Sequence, residues 1–438
     1  MSNWKRKVAV AANVGVLCAV WDLMHYTFNL APKLIKGTNA DFTTSAHIAQ
    51  STCYRLAGFS AQKLNRSTNK KSFKKMSVGK NGFEKTKHNF PYRWTLKDAV
   101  FTKDKGKVFS CFACGGGSTM GYKLAGFDVL GCNEIDPKMI EAYKANHNPK
   151  YAYLEPIQTF KLRDDLPQEL YELDILDGSP PCSSFSMAGN REKDWGKEKV
   201  FREGQAEQIL DTLFFDFIDL AKKLQPKVVV AENVKGLLLG EAKQYVRKIY
   251  TEFDKAGYYV QHWLLDASKM GVPQRRERVF FICLRKDLAE PFLYQQDMFT
   301  EVPKLELEFN EKEIPYKEIE DKKAEIPNVR DSFAELWNKT GPGCSFGDAH
   351  PKGHYFGEYK LHPENVCNTI IANASGSLLW HYNILRPLND YEYKLIGTYP
   401  IDYNFQNNKP KYLIGMSVPP VMTAQIAKQV YEQWLSKI

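Results

Sequence analysis

Short, nearly continuous apolar runs, each ending at glycine, proline or an acidic residue, punctuate the chain from residue 108 onward. The first, 108–111, leads into a glycine cluster and then a helix expected over 122–126. The second, 127–136, ends in Glu134 and Asp136, and a third covers 173–176. Residues 227–234 form a run with no polar residue between Val228 and Ala231, and 279–284 forms another. Strands buried on both faces of a parallel sheet have this composition, and their ligands bind at the carboxyl ends. The pattern predicts an α/β fold with a doubly wound sheet. A last amphipathic stretch, 421–435, is expected to be a helix.

Chemistry-bearing residues cluster just past these runs. After the third run comes Asp177-Gly178-Ser179-Pro180-Pro181-Cys182-Ser183-Ser184-Phe185-Ser186. Two prolines fix the backbone ahead of the cysteine and so fix the direction of its thiol. The glycine turn, Phe112-Ala113-Cys114-Gly115-Gly116-Gly117, lets backbone approach a ligand closely. Glu134 follows it by about 20 residues, where an acid can take the two hydroxyls of a ribose. Asp136 precedes Pro137 and is suited to cap a helix. Glu232 ends the 227–234 run and is expected in the same cleft as Glu134 and Cys182. Arg276 and Arg278 alternate in the extended period and are expected on one side.

In this order the pieces resemble the cytosine-5 DNA methyltransferase family, over about three quarters of the chain. The resemblance implies a Rossmann-like methyltransferase sheet with a smaller target recognition lobe, and S-adenosylmethionine as cofactor. Cofactor contacts are then expected from Phe112, Ala113, Gly115, Gly116, Gly117, Glu134, Ile135, Ile157, Pro180, Ser417 and Val418. Pro181-Cys182 resembles the family's Pro-Cys nucleophile, Glu232-Asn233-Val234 its Glu-Asn-Val motif, and Gln274, Arg276 and Arg278 its Gln-x-Arg-x-Arg motif. Catalytic roles fall on Cys182, Glu232, Arg276 and Arg278. Substrate contacts fall on Ser183, Ser186, Asn233, Gln274, Asn373 and Ser375. Arg386-Pro387-Leu388 with Glu392 and Tyr399-Pro400 resembles the motif after the recognition region, and Gly415-Met416-Ser417-Val418-Pro419-Pro420 the closing motif. Three positions depart from the family pattern: Cys114 and Met416 stand where glycine and asparagine are usual. Pro156 stands where an acid contacts the adenine, with Glu155 beside it.

The residue types suit the reaction implied. A thiolate adding to carbon 6 of cytosine turns carbon 5 into a nucleophile for a methyl group. A carboxylic acid at ring nitrogen 3 stabilises the adduct, and planar arginine donors can hold the ring oxygen. A base in a duplex must first be flipped out, at a cost of a few kcal/mol. Residues 183–200, rich in Gly, Lys and Arg beside the nucleophile, suit a loop that fills the gap.

Charge is unevenly spread. Net charge is +9, but residues 1–107 carry 20 basic against 5 acidic side chains, leaving −6 for the rest. A basic extension over 1–105, partly a solvated linker at 63–87 and with a small helical DNA-binding unit around 43–56, suits contact with DNA phosphates. The apolar run 8–20 is too short to span a bilayer and is expected to be a packed helix, so no membrane is expected. Nine scattered cysteines argue against a disulfide framework. The Cys111/Cys114 pair lacks a second pair, so no metal is expected.

The remaining boundaries follow: a catalytic domain over 106–285, a recognition region over 286–385, and closing motifs over 386–438. Residues 368–377 are expected to give the recognition region's last strand and a reading loop. Double-stranded DNA is the expected partner of an intracellular monomer in a prokaryotic-type cell or its phage, with a cognate restriction endonuclease a candidate second partner. Two alternatives stay open: cytosine-5 methylation of transfer RNA, and a nucleic-acid-binding regulator with a decayed site.

Overall fold

The computed structural model describes residues 88–181, 212–240, 242–295, 301–355, 357–372 and 378–438. The expectations for the run 8–20, the helical unit, the linker, the loop 183–200 and Cys182, Ser183, Ser186, Asn373 and Ser375 therefore lie outside the described residues.

Seven strands form one sheet: β1 Lys107–Cys111, β2 Asp128–Glu134, β3 Tyr151–Leu154, β4 Ile175–Gly178, β5 Val228–Val234, β6 Tyr258–Asp266 and β7 Glu277–Arg285. Their order is β3-β2-β1-β4-β5-β7-β6. The first five are parallel, and β7 inserts antiparallel between β5 and β6. The chain winds outward in both directions from the β1–β4 junction, so the crevice at their carboxyl ends is a topological switch point.

Ten α-helices accompany the sheet among the described residues: α1 Gly117–Leu124, α2 Pro137–His147, α3 Ile157–Phe160, α4 Leu213–Leu224, α5 Ala242–Lys255, α6 Asp331–Lys339, α7 Phe346–Ala349, α8 Asp390–Ile396, α9 Pro410–Met416 and α10 Pro420–Gln433. Alternation along the strands divides the core in two. Phe109, Leu176, Val229 and Phe281 pack against α3, α4 and α5 through Phe160, Phe214, Phe217 and Phe253. Val108, Ile175, Val228, Val230 and Phe280 pack on the other face against α1 and α10 through Tyr122, Val421, Ala424 and Val430.

Helix α1 begins at Gly117, five residues before the sequence pattern places it. Gly116 at φ 89° turns the chain into it, and the helix crosses α10 at Gly121. A Cβ at Gly121 would collide with the Pro420 carbonyl oxygen and lie 2.5 Å from the Thr423 Cβ. Gly121→Ala is therefore expected to destabilise the fold by about 1–3 kcal/mol, despite the ~1 kcal/mol gain in helix propensity. A lower urea midpoint at unchanged slope is the readout.

The boundary expected at 105 cuts through a strap that belongs to the packed unit. Trp94 is buried and donates its indole N–H to the Thr398 carbonyl at 3.0 Å, and Ile401 N–H donates to the Trp94 carbonyl at 2.9 Å. The Asp402 carboxylate accepts from the amides of Leu96 and Lys97.

The interval 286–385 divides its packing. Leu305 and Leu307 join the α1–α10 layer, while Ile314, Tyr316 and Ile319 pack with Leu388 and Tyr393. A small separate cluster is built from Leu336, Phe346 and Trp380. The strand expected from residue 368 is not formed over 368–372. Cys367 instead makes a single parallel bridge with Gln274, because the buried Gln274 side chain accepts from Ile370 N–H at 3.0 Å and holds the segment as an irregular strip. Among the described residues no helix is long and apolar enough to cross a membrane, and no group of three or more His, Cys, Asp or Glu side chains could hold a metal.

Candidate active site

Loops leaving β1, β2, β4 and β5 converge at the switch point. After β1, Phe112 and Cys114 take φ of 51° and 49°, and Gly116 follows at 89°. This run of left-handed turns curls the backbone around the first turn of α1, which begins without a side-chain cap. An uncapped helix N-terminus is a ready site for a ligand carboxylate. Beside it, the buried Tyr399 hydroxyl has no hydrogen-bond partner among the described residues. Ser417 and Val418 close the same side: a Cβ on Gly117 would meet the Tyr399 hydroxyl, the Val418 carbonyl and the Ser417 Cβ.

The curl is held from beneath. Glu134, buried at the end of β2, accepts from Cys114 N–H at 2.7 Å through Oε2 and from the amides of Ile135 and Asp136 through Oε1. Burial pushes its carboxyl above the usual range, while these three amides pull the other way. Three of its roughly four lone-pair sites are thus taken, so a ligand hydroxyl must share the carboxylate with the loop. Tyr403 donates its hydroxyl to the Gly115 carbonyl and meets His147 Nε2 at 3.0 Å. Asp136 caps α2 through Lys138 N–H at 2.8 Å.

Ile135 and Phe112 are half-buried at the rim, and Ala113 and Ile157 are buried below it. Pro156 offers no carboxylate. Glu155, its neighbour, is engaged by Arg163 at 3.0 Å and by the Thr159 hydroxyl at 3.0 Å. The acid expected to contact the purine is thus replaced by proline, and each oxygen of the neighbouring Glu155 already holds one partner.

Cysteine chemistry narrows the nucleophile. Cys114 packs its sulfur 3.5 Å from Met139 Sδ, and burial pushes its thiol up to about 12. Burial likewise raises Cys111, Cys132, Cys283 and Cys367. All five are neutral thiols at pH 7, and a neutral thiol is a poor nucleophile. The loop toward Cys182 is positioned through Pro180, which is buried. Asn233 at the end of β5 donates to the Pro180 carbonyl at 3.2 Å, and its Oδ1 accepts from Val234 N–H at 2.9 Å.

Next to it, Glu232 and Arg278 form an ion pair, Nε to Oε1 3.0 Å, with 12% and 17% of the side chains exposed. The antiparallel β5–β7 pairing brings them together, since Arg278 lies opposite Val234. Burial pulls the Arg278 guanidinium down, and Glu232 holds it up.

Arg276 lies near enough to Glu232 and Arg278 to feel the charge of both, but its terminal donors are spent on main chain. It is buried, and its donors go to the Ile370 carbonyl at 3.2 Å, the Gly415 carbonyl at 2.9 Å and the Ser417 carbonyl at 3.0 Å. Both terminal nitrogens engage main chain and so clamp the closing motif, while the buried Nε has no hydrogen-bond partner among the described residues. Gln274 is similar: buried, with both ends of its amide on the main chain of Ile370 and Ile396. Two residues apart on one strip, Arg276 and Arg278 therefore do different work.

The model of the C-5 cytosine-specific DNA methylase family matches residues 106–432. The chain belongs to that family. Type II methyltransferase M.FnuDI of Fusobacterium nucleatum is 37% identical over 182 residues, covering 42% of this chain and 48% of the relative, about half its length. Type II methyltransferase M.NgoFVII of Neisseria gonorrhoeae is 27% identical over 349 residues, covering 75% of this chain and 87% of the relative. The fold is shared with a solved protein assigned as a DNA modification methyltransferase of an E. coli prophage. Its TM-score is 0.55 at 20% identity, covering 75% of this chain and 99% of that one.

As a C-5 cytosine DNA methylase family member, the chain also carries contacts that motif reading missed. Asp177, read only as part of the loop before Cys182, is buried under α1. Asn233, read as a substrate contact, holds the Pro180 backbone. Asn233→Ala is expected to lower the single-turnover rate by roughly 10²-fold, the scale of a small misplacement of a reacting group, with cofactor affinity unchanged. Rapid-quench measurement beside a binding isotherm checks both.

Proposed function

We propose that this chain is a DNA (cytosine-5)-methyltransferase acting on a flipped-out cytosine through a covalent adduct at Cys182. The observation that carries this reading is the end of β5. There Glu232, paired with Arg278, stands beside Asn233, which anchors the backbone two residues ahead of Cys182.

The residues present fit S-adenosylmethionine. Phe112 to Gly117 and the α1 N-terminus, with Ser417 and Val418, would hold its methionine part. Glu134 would hold the ribose, and Ile135 and Ile157 the adenine. When bound, this cofactor supplies an electrophilic methyl group. The protein's own groups prepare the acceptor. The Cys182 thiolate bonds to carbon 6, a proton from Glu232 goes to nitrogen 3, and the ring electron pair becomes available at carbon 5. Arg278 keeps Glu232 in place and presents planar donors to the ring oxygen. After methylation the carbon 5 proton leaves to water, the carbon–sulfur bond breaks as the carbon 5–carbon 6 double bond re-forms, the thiolate departs, and nitrogen 3 returns its proton to Glu232. Arg276 and Gln274 act by holding the closing motif and the 367–370 strip.

Residues 286–385 are proposed to read the DNA, with Asn373, Ser375, Ser183 and Ser186 as contacts and the basic extension as a phosphate-binding arm. The substrate test is competition between duplex DNA and transfer RNA for tritiated methyl groups. Label is expected in DNA and absent from RNA; label in RNA alone overturns the DNA assignment.

A further inference from the structure

Beneath the glycine curl lies a charged group that the mechanism above leaves without a task. Asp177, the third residue of β4, is 4% exposed, and its partners are all hydroxyls. Ser118 donates to Oδ2 at 2.8 Å and Tyr122 to Oδ1 at 3.2 Å, and the Ser110 hydroxyl also acts on the carboxyl, holding its pKa down. No Lys, Arg or His makes an ion pair with it among the described residues. The chain of hydroxyls continues from Ser110 to Thr119 at 3.1 Å and on to Tyr143 at 3.1 Å. Burying a carboxylate with only hydroxyls for partners is costly, since no opposite charge offsets the lost solvation. The carboxylate here is desolvated and backed by the like charge of Glu232, and burial pushes it up to about 6.

Its position supplies the reason for a charge. Ser118 is the second residue of α1, directly after the curl that would receive the methionine part of the cofactor. That part carries two cations, a sulfonium and an ammonium, beside one carboxylate. The uncapped helix N-terminus suits the carboxylate, which leaves the positive charge to be matched. We propose that Asp177 is the buried counter-charge for a cationic centre of the cofactor's methionine part. This rests on the cofactor reading given above.

Affinities of S-adenosylmethionine, S-adenosylhomocysteine and 5′-methylthioadenosine for the full chain and for Asp177→Asn, by titration calorimetry, test it. The first ligand has both cations, the second only the ammonium, the third neither. A tenfold or greater loss for S-adenosylmethionine alone supports the proposal with the sulfonium as target. An equal loss for the first two, sparing the third, supports it with the ammonium as target. No change, or equal losses for all three, overturns it while leaving the cofactor reading intact. Failure of the unmodified chain to bind any of them overturns both.

If Asp177→Asn does not fold, pH replaces the variant. The titratable and polar groups facing Asp177 are Ser110 and Cys111 from β1, Ser118 and Tyr122 from α1, Tyr143 from α2 and Glu232 from β5. Below about 6 the carboxyl takes up a proton that a bound cation must displace. The preference for S-adenosylmethionine over 5′-methylthioadenosine is therefore expected to fall about tenfold from pH 7 to pH 5. Glu134, against the ribose, acts on both ligands alike. A preference that stays constant overturns the proposal.

Discussion

Replacing Glu232 by glutamine is expected to slow methyl transfer by roughly 10²–10⁴-fold, the usual worth of a positioned general acid. The substitution keeps the side chain's shape and an oxygen for Arg278, so the local fold changes little. What it removes is the proton that neutralises developing charge at nitrogen 3. Glu232 has 12% of its side chain exposed, at the carboxyl end of β5, and Arg278 meets it at 3.0 Å. In such a setting proton delivery is poorly replaced by solvent. Single-turnover rates with saturating DNA separate this from weaker binding. An unchanged rate would remove Glu232 from the chemistry and leave the pair a structural bridge between β5 and β7.

Glu392→Ala should be the most damaging single change in the closing motifs. Glu392 is fully buried and meets Arg386 in a bidentate pair at 2.7 and 2.9 Å. It also accepts from the Tyr316 hydroxyl at 2.7 Å, from Asp321 N–H at 3.1 Å, and from Asn389 N–H at 3.0 Å in a capping box that starts α8. Removing it strands a buried guanidinium and loosens three segments together. Loss of one partner of such a pair costs about 3–5 kcal/mol. Replacing both partners with apolar residues of similar volume should cost less, because no charge is left unpaired. Urea unfolding of the two variants checks the order. A Glu392→Ala protein as stable as the parent contradicts the network's role.

Much of this was legible in the sequence because it is local. A strand of Val228, Val229, Val230 and Ala231 can only be buried on both faces, and its terminal acid then falls at the ligand end of the sheet. Asp136 before Pro137 reads as a cap and is one. What escaped is set by partners far along the chain. Arg276 and Arg278 look equivalent by spacing. Yet carbonyls 94 to 141 residues away claim the first, while the β5–β7 register gives the second to Glu232. The start of α1 was misplaced because three successive glycines disfavour a helix locally. Tertiary packing overrides that preference, since only glycine at 121 lets α10 come so close. Asp177 escapes motif reading, which stops at Cys182, because its burial depends on Ser118 and Tyr122 from α1.

Enzymatic activity is read most plainly by base-resolution mapping of 5-methylcytosine in DNA from a host that otherwise lacks it. The host expresses the full chain, or the Cys182→Ala variant as control. With the full chain 5-methylcytosine is expected in one short sequence context, and with the variant none is expected. Folded, expressed protein with no 5-methylcytosine, or equal methylation with the Cys182→Ala variant, would contradict it.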